Sequence, residues 1–192
     1  MQRFIRGEDF PQVLEIWQAC FGDEAYYVRF FWENCFPMCR GLAREEDGKL
    51  AAMLFLLPGT LDGQLGVDYV YAVATLPAYR SKGYAAQLTK WAAEIARSEG
   101  KAALCLCPGS ESLYNYYGRQ GFQLAFRRQD CGMGRFVWPP HMLEYMRQES
   151  ALCNRVITEK DEPGGMLLAL DQRAEGWLRA TKGQAYLKYN LE

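Results

Sequence analysis

In the run VATLPAYRSKGYAAQLTK, residues 73–90, Arg80, Gly83 and Ala85 stand at R-x-x-G-x-A spacing. The chemistry open to such a run is anion binding. A helix that starts near Tyr84 leaves the backbone N–H groups from Ser81 to Ala85 without intrahelical partners, and its dipole adds to their pull on negative charge. Gly83 lets the backbone approach a phosphate closely. Ala85 is too small to shield the amides, and Arg80 and Lys82 bring positive charge. The glycine count does not fit the dinucleotide fingerprint, and no G-K-[ST] is present for a P-loop. Taken alone, the spacing also fits an ordinary loop before a helix; its place after a strand and at a helix start is what the anion-binding mechanism needs.

A second run, SLYNYYGRQGF at 112–122, sets a tyrosine a short interval before Gly121-Phe122. A tyrosine placed at a sulfur leaving group can protonate the departing thiolate. Tyr114, Tyr116 and Tyr117 can equally be packing and surface residues.

These two runs need elements to hold them. Residues 2–6 alternate and read as a short strand. Val13, Leu14, Ile16 and Trp17 recur at helical spacing, with Asp9 a candidate N-cap and Pro11 in the first turn. A second helix is expected over 24–35, with Tyr27, Phe30, Phe31 and Trp32 on one side. The period then changes to that of strands at 40–46, 49–57 and 64–75. The links, residues 46–49 and 61–64, each contain Asp-Gly, a hairpin signal. Residues 84–98 have a helical apolar stripe that ends with Gly100 at the C-terminal cap. Ala102–Cys107 reads as a buried strand, Ser110–Arg119 as a short helix and Phe122–Arg127 as a strand.

The order is β-α-α-β-β-β-α-β-α-β, an α/β (α+β) fold with a mixed, mostly antiparallel central sheet flanked by helices. The strands on either side of the 84–98 helix should be parallel, because a crossover joins them. Residues 1–128 are expected to form this domain. Residues 129–192 are expected to be an extension packed on it or part of a second unit, with a helix at 141–150, a turn or loop over Asp161–Gly165, and strands at Met166–Leu170 and Ala185–Leu191. Strands in this tail could pair with a second copy as a homodimer. Leu191-Glu192 reads as a possible cloning scar.

Composition narrows the classes. With 192 residues, 49% hydrophobic and 23% charged, the chain suits one domain with a sizeable core. A net charge of −1 gives no global field for nucleic acid or an acidic membrane surface. No apolar stretch is long enough to span a bilayer. The first 20 residues carry charges and lack an apolar leader core. A cytoplasmic location is therefore expected, with Cys20, Cys35, Cys39, Cys105, Cys107, Cys131 and Cys153 reduced. His141 is the only histidine. No cysteine spacing fits zinc, so no metal is expected.

Together the two runs resemble the GCN5-related N-acetyltransferase superfamily. Arg80-Ser81-Lys82-Gly83-Tyr84-Ala85 matches its Q/R-x-x-G-x-G/A motif, and Tyr117-Gly118-Arg119-Gln120-Gly121-Phe122 its Y-x-x-x-G-F motif. The strand order is also similar, over residues 2 to 128. Ser112 with the second motif is similar to the enhanced-intracellular-survival group, whose members are longer and carry further domains. The resemblance implies acetyl-CoA as co-substrate, with Arg80, Ser81, Lys82, Gly83, Tyr84 and Ala85 at its pyrophosphate. It implies backbone groups of Val73 and Thr75 along the pantetheine arm and acetyl carbonyl, and Ser112 near the thiol. It implies Tyr117 as general acid for the CoA thiolate. The amine, from a small molecule or a protein, would attack the thioester directly. Asp68, Glu24 and Glu33 are candidate bases, and Tyr26, Tyr27, Phe31 and Trp32 are candidate walls of an acceptor pocket or core. A covalent route through Cys105 or Cys107 is disfavoured, since both lie on a strand expected to be buried. Two alternatives stay open: a domain of this fold that binds CoA without catalysis, and a nucleotide-binding domain that uses the same helix start.

Overall fold

In the computed structural model, residues 1–128, 135–153, 162–182 and 185–187 are described. Cys131, the side chain of Cys153, Asp161, residues 188–191 of the last expected strand and Leu191-Glu192 lie outside that set. The strands are β1 (Gln2–Phe4), β2 (Arg40–Glu46), β3 (Lys49–Leu61), β4 (Leu65–Thr75), β5 (Ala103–Leu106), β6 (Gln123–Arg128), β7 (Phe136–Val137), β8 (Glu162–Ala169) and β9 (Ala185–Leu187). The helices are α1 (Phe10–Phe21), α2 (Ala25–Asn34), α3 (Tyr84–Ser98), α4 (Glu111–Gly118), α5 (Pro140–Cys153) and α6 (Gln172–Thr181). The strand order is β1-β2-β3-β4-β5-β8-β6-β9, with β7 on β3. The pairs β4–β5 and β6–β9 are parallel. The pairs β1–β2, β2–β3, β3–β7, β5–β8 and β6–β8 are antiparallel. This is the mixed, mostly antiparallel sheet flanked by helices that the sequence implies.

Turn chemistry sets the first strands. Asp47 and Gly48 have φ of 49° and 76°, and Asp62 and Gly63 have 52° and 70°. Left-handed backbone at both central residues is what a two-residue hairpin of the favoured twist demands. The helix α3 closes with Lys101 N–H on Ala96 O (2.9 Å) and Gly100 N–H on Arg97 O (3.0 Å), Gly100 taking φ 72°. That is a Schellman end, and it releases the chain into β5 parallel to β4.

The chain forms two compact units. The first is Met1–Leu57 with Val70–Glu94, and the second is Pro58–Tyr69 with Ile95–Glu192. In the first, Trp17 of α1 is 1% exposed, with ring centroids of Phe31, Phe55 and Tyr71 at 4.9, 5.8 and 5.8 Å. In the second, β8 bonds to β5 through Met166–Ala169 and to β6 through Glu162–Leu167.

Several expectations need correction. Asp9 precedes α1, yet its carboxylate does not cap that helix. It accepts from both terminal nitrogens of the Arg3 guanidinium (2.7 and 2.8 Å) and from Arg6 N–H (2.7 Å), which turns it toward these partners and away from the first amides of α1. The expected loop at Asp161–Gly165 is instead the start of β8 from Glu162. Pro163 is tolerated there because β5 pairs only from Met166 onward, so that stretch is bonded to β6 alone. The helix α6 and the two-residue β7 went unforeseen. The signal for α6 was present: Asp171 accepts from Arg173 and Ala174 N–H, and Ala174, Trp177 and Thr181 form a buried stripe.

Asp9 carries a testable consequence. The Arg3 hydrogen bonds, ahead of the other contacts, hold its carboxyl below the ordinary carboxylate range. The stability this gives is present above the unfolded-state value, near pH 4, and is lost as pH falls through the lower folded value. Asp9→Asn should therefore cost about 2 kcal/mol at neutral pH. Thermal melts of both proteins should converge as the pH is taken down past that range; a gap that stays constant into acid would contradict the ion pair's role.

Candidate functional site

Within the first unit, β4 carries one left-handed residue and leads to the loop at Arg80–Gly83. Ala72, in the middle of β4, has φ 48°. A non-glycine residue in this region costs about 1–2 kcal/mol, and such strain collects at functional sites. The residue ahead of it is held firmly. Tyr71 packs on Trp17 and Phe31, and its hydroxyl lies 3.0 Å from that of Tyr27. Just past the end of β4, Leu76 N–H bonds to Ala51 O at 3.0 Å. Val73 and Thr75 lie between, both half-buried. The left-handed residue turns the backbone here away from regular pleating.

A 3-10 turn over Pro77–Tyr79 leads to the loop. Ser81 has φ 63° and Gly83 φ 75°, while Lys82 between them keeps negative φ. Alternating handedness of this kind turns successive N–H groups toward one side and makes an anion-binding concavity. It opens directly into α3 at Tyr84, so the free amides of the first helical turn add to it. Arg80, Ser81, Lys82 and Gly83 are exposed, Ala85 is half-buried and Tyr84 is buried. A Cβ on Gly83 would meet only the Gln87 side chain, at 3.9 Å, so its glycine answers to φ and not to space.

The side chains around the loop have distinct jobs. Arg80 turns back: its Nε donates to Thr75 O at 3.2 Å and its Nη2 to Cys20 Sγ at 3.8 Å. Cys20, on α1, also donates to Thr75 O at 3.3 Å. Arg80 thus braces the end of β4 as well as carrying charge. Lys82 Nζ lies 5.1 Å from the Tyr79 ring centre and 5.9 Å from that of Tyr84. Sequence reasoning did not single out Ala72, Cys20 or Glu46. Nothing in the composition marks an alanine for positive φ. Cys20 and Glu46 approach the loop only through tertiary structure.

The second unit carries Ser112 and Tyr117, both on α4. Ser112 is exposed, with its hydroxyl 3.1 Å from that of Ser110. Tyr117 is 6% exposed, its ring 5.1 Å from Tyr116 and 5.7 Å from Phe122. Burial, and then the neighbouring Tyr116, push its hydroxyl well above the usual phenol range, so it is held protonated. The end of α4 repeats the closure of α3. Phe122 N–H bonds to Tyr117 O (3.2 Å) and Gly121 N–H to Gly118 O (3.0 Å), with Gly121 at φ 91°. Here a Cβ on Gly121 would stand 3.2 Å from Leu168 Cδ1. The Y-x-x-x-G-F spacing is therefore also a Schellman motif with its usual contact between the flanking apolar residues.

The remaining candidates fall elsewhere. Asp68 is fully buried in the second unit, with Lys101 Nζ 3.4 Å away, so it serves an internal ion pair and not proton transfer from solvent. Glu24 and Glu33 are exposed. Phe31 and Tyr27 are core, Trp32 stacks on Phe36 at 4.0 Å, and Tyr26 is 58% exposed. Cys105 is buried with its thiol pushed well above the usual range, first by burial and then by Asp68, and Cys107 donates to Gly164 O. Among the described residues, no group of three or more histidine, cysteine or acidic side chains could hold a metal, and no helix is long and apolar enough to cross a membrane.

A strand with one left-handed residue, an exposed loop and a helix start follow one another here within a mixed α/β fold. Its lineage follows from the sequence: residues 2–125 match the acetyltransferase (GNAT) domain model, and the chain belongs to that family. None of the curated proteins compared with it matches. Among solved structures, the chain is similar to the GNAT family N-acetyltransferase YhbS of Escherichia coli in complex with CoA. Identity is 21% over 91% of this chain and 83% of that one, with a TM-score of 0.64. A GNAT family acetyltransferase from Brucella melitensis in complex with acetyl-CoA is 22% identical over 74% of this chain and 97% of that one, TM-score 0.57. A probable N-acyltransferase from Enterococcus faecalis is 19% identical over 66% of this chain, TM-score 0.60, and only 33% of its length is spanned. At these identities the likeness is one of fold.

The strained residue gives a direct test. Ala72→Val sets a β-branched side chain at positive φ and should destabilise by about 1–2 kcal/mol. Ala72→Gly removes the strain at the cost of chain entropy and should come out near neutral. Urea melts that show valine tolerated as well as glycine would remove the case for a strained residue in β4.

Proposed function

We propose that the protein is an acetyl-CoA-dependent N-acyltransferase that moves an acetyl group to a primary amine of a small molecule or a protein. One observation carries this reading: Ser81 and Gly83 alternate in handedness with Lys82 immediately before α3, so the exposed amides converge where a pyrophosphate would sit. Amides from Ser81 to Ala85 would hold the pyrophosphate, with Arg80, Lys82 and Tyr84 flanking it. Main-chain groups of Val73 and Thr75 would hold the pantetheine arm, and an N–H there would polarise the thioester carbonyl. The neutral amine would attack that carbonyl carbon and form the C–N bond, its nitrogen would lose a proton to water, and the C–S bond would break as the departing thiolate takes a proton. Tyr117, its hydroxyl kept protonated by burial, would be the donor, and Ser112 would lie near the thiol. Kinship with the enhanced-intracellular-survival group is supported by Ser112 and Tyr117–Phe122 alone. A cytoplasmic location fits a cofactor drawn from the cell interior.

A second reading has an observation of its own. The packing of Tyr117 against Phe122 at a Schellman end accounts for the second motif without any chemistry, as expected of a domain that binds CoA and does not turn it over.

Thermal melts with acetyl-CoA, CoA, ATP and NAD side by side test the cofactor. Acetyl-CoA and CoA alone should raise the Tm by several degrees, since a ligand at about a hundred times its Kd contributes about 2.7 kcal/mol. Stabilisation by ATP or NAD and not by CoA would replace this reading with a nucleotide site. Tyr117→Phe then separates enzyme from sensor, because it keeps the ring contacts and deletes the hydroxyl. On an amine that wild-type protein acetylates, kcat should fall about a hundredfold with CoA affinity kept. Unchanged turnover would show that Tyr117 is not the acid.

A further inference from the structure

A ring of hydrogen bonds closes at the end of β4 in the first unit. Arg80 Nε donates to Thr75 O at 3.2 Å, and Arg80 Nη2 donates to Cys20 Sγ at 3.8 Å. Cys20 Sγ in turn donates to Thr75 O at 3.3 Å. Nε and Nη2 form one edge of the guanidinium, a rigid fork that a lysine ammonium does not reproduce. A carbonyl oxygen has two lone pairs, and these two donors use both. Arg80 is exposed, so holding it in this geometry costs side-chain entropy that free extension into water would spare.

The ring spans the turn that joins the two parts of the proposed site. Thr75 ends β4, Pro77–Tyr79 makes the turn, and Ser81 is the first left-handed residue of the loop. A pantetheine arm at Val73–Thr75 and a pyrophosphate at Ser81–Ala85 belong to one ligand, so the separation of these segments must suit both ends at once. A spacing fixed before the ligand arrives removes an ordering cost from binding. We propose that Arg80 is a positioning residue and not a phosphate cation, anchored on α1 through Cys20, and that the two side chains set the reach between the pantetheine segment and the pyrophosphate loop. The proposal rests on the reading of those segments as a CoA site. It leaves Lys82 as the cation for the pyrophosphate and closes the Thr75 carbonyl to the pantetheine arm.

Calorimetric titration with CoA at low and high salt is the experiment, on wild type, Arg80→Lys, Arg80→Met, Cys20→Ser and Cys20→Ala. Arg80→Lys keeps the charge and loses the fork. It should bind CoA about three- to tenfold more weakly than wild type, the scale of one lost hydrogen bond, and no better than Arg80→Met. The salt dependence should be alike in both, because neither touches a charge that meets the phosphate. Cys20→Ala should lose affinity on the same scale. Cys20→Ser keeps a donor for Thr75 O and an acceptor for Arg80, and should restore it. Cys20→Ala combined with Arg80→Lys should cost little more than the larger single loss, since both act through one oxygen. Wild-type affinity in Arg80→Lys, with a loss of affinity and of salt dependence in Arg80→Met, would make Arg80 a phosphate cation and overturn the proposal. A Cys20→Ala variant that melts lower yet binds CoA as wild type does would also overturn it, as the mark of a purely structural contact. Should Cys20→Ala fail to fold, the substitution at the exposed Arg80 decides alone. Wild-type binding that is unaltered in Arg80→Lys defeats this proposal only; no binding of CoA by wild type defeats the site reading and this proposal with it.

Discussion

A helix cannot satisfy its own first backbone amides, and the proposed function depends on that deficit at the start of α3. The elements around it serve to aim those amides and keep them open. Ser81 and Gly83 adopt left-handed backbone so that consecutive N–H groups face one way. Arg80 directs its guanidinium to Thr75 O and Cys20, which fixes the approach of the loop without filling the concavity. The Arg44 guanidinium of β2 lies 4.8 Å from the centre of the Tyr84 ring in the first helical turn. At its other end α3 closes on Gly100, and the chain then runs parallel to β4.

The strand before the loop carries the compensating strain. A regular β4 would spend every amide on its neighbours. Ala72 breaks that pattern at positive φ. The aromatic packing on either side pays for it: Tyr71 is locked against Trp17 and Phe31, and Leu76 N–H, just past the strand, bonds to Ala51 O. Burial of rings on that scale contributes about 1.5–3 kcal/mol per side chain, more than the strain removes. The core of the first unit is thus the reason an alanine can hold a conformation usually left to glycine.

Local rules made much of this legible. Two Asp-Gly turns, a helical stripe from Tyr84, a glycine at 100 and a strand on each side were enough to set the order of elements as far as Arg128 and the parallel step across α3. The loop before α3 could be read because its signal is local: an arginine, a glycine and a small residue at the start of a helix. What could not be read is tertiary. Asp9 looked like a cap because its position is right, yet Arg3 and Arg6 reach it first. Asp68 looked like a possible base, yet it is shut in with Lys101. Pro163 and two glycines argued for a loop, because composition does not say that only one neighbour bonds to that stretch of β8. The α6 helix is a different kind of miss, since Asp171 and the stripe behind it were signals that local reading could have used.

Tyr117 is where packing and chemistry must be separated. The turn after α4 needs a left-handed residue at Gly121 and an apolar pair at the flanking positions, and the rings of Tyr117 and Phe122 supply that pair. Phenylalanine at 117 would meet every one of those needs. The packing therefore explains the ring and leaves the oxygen unexplained. A phenol hydroxyl in a residue only 6% exposed carries a desolvation cost that phenylalanine would avoid. The same desolvation raises its proton affinity. A hydroxyl held protonated suits the delivery of a proton to a sulfur that becomes basic only as its bond to the acyl carbon breaks, since the donor must not lose its proton before that moment. The structural cost and the raised proton affinity thus have one cause, the burial of the Tyr117 side chain.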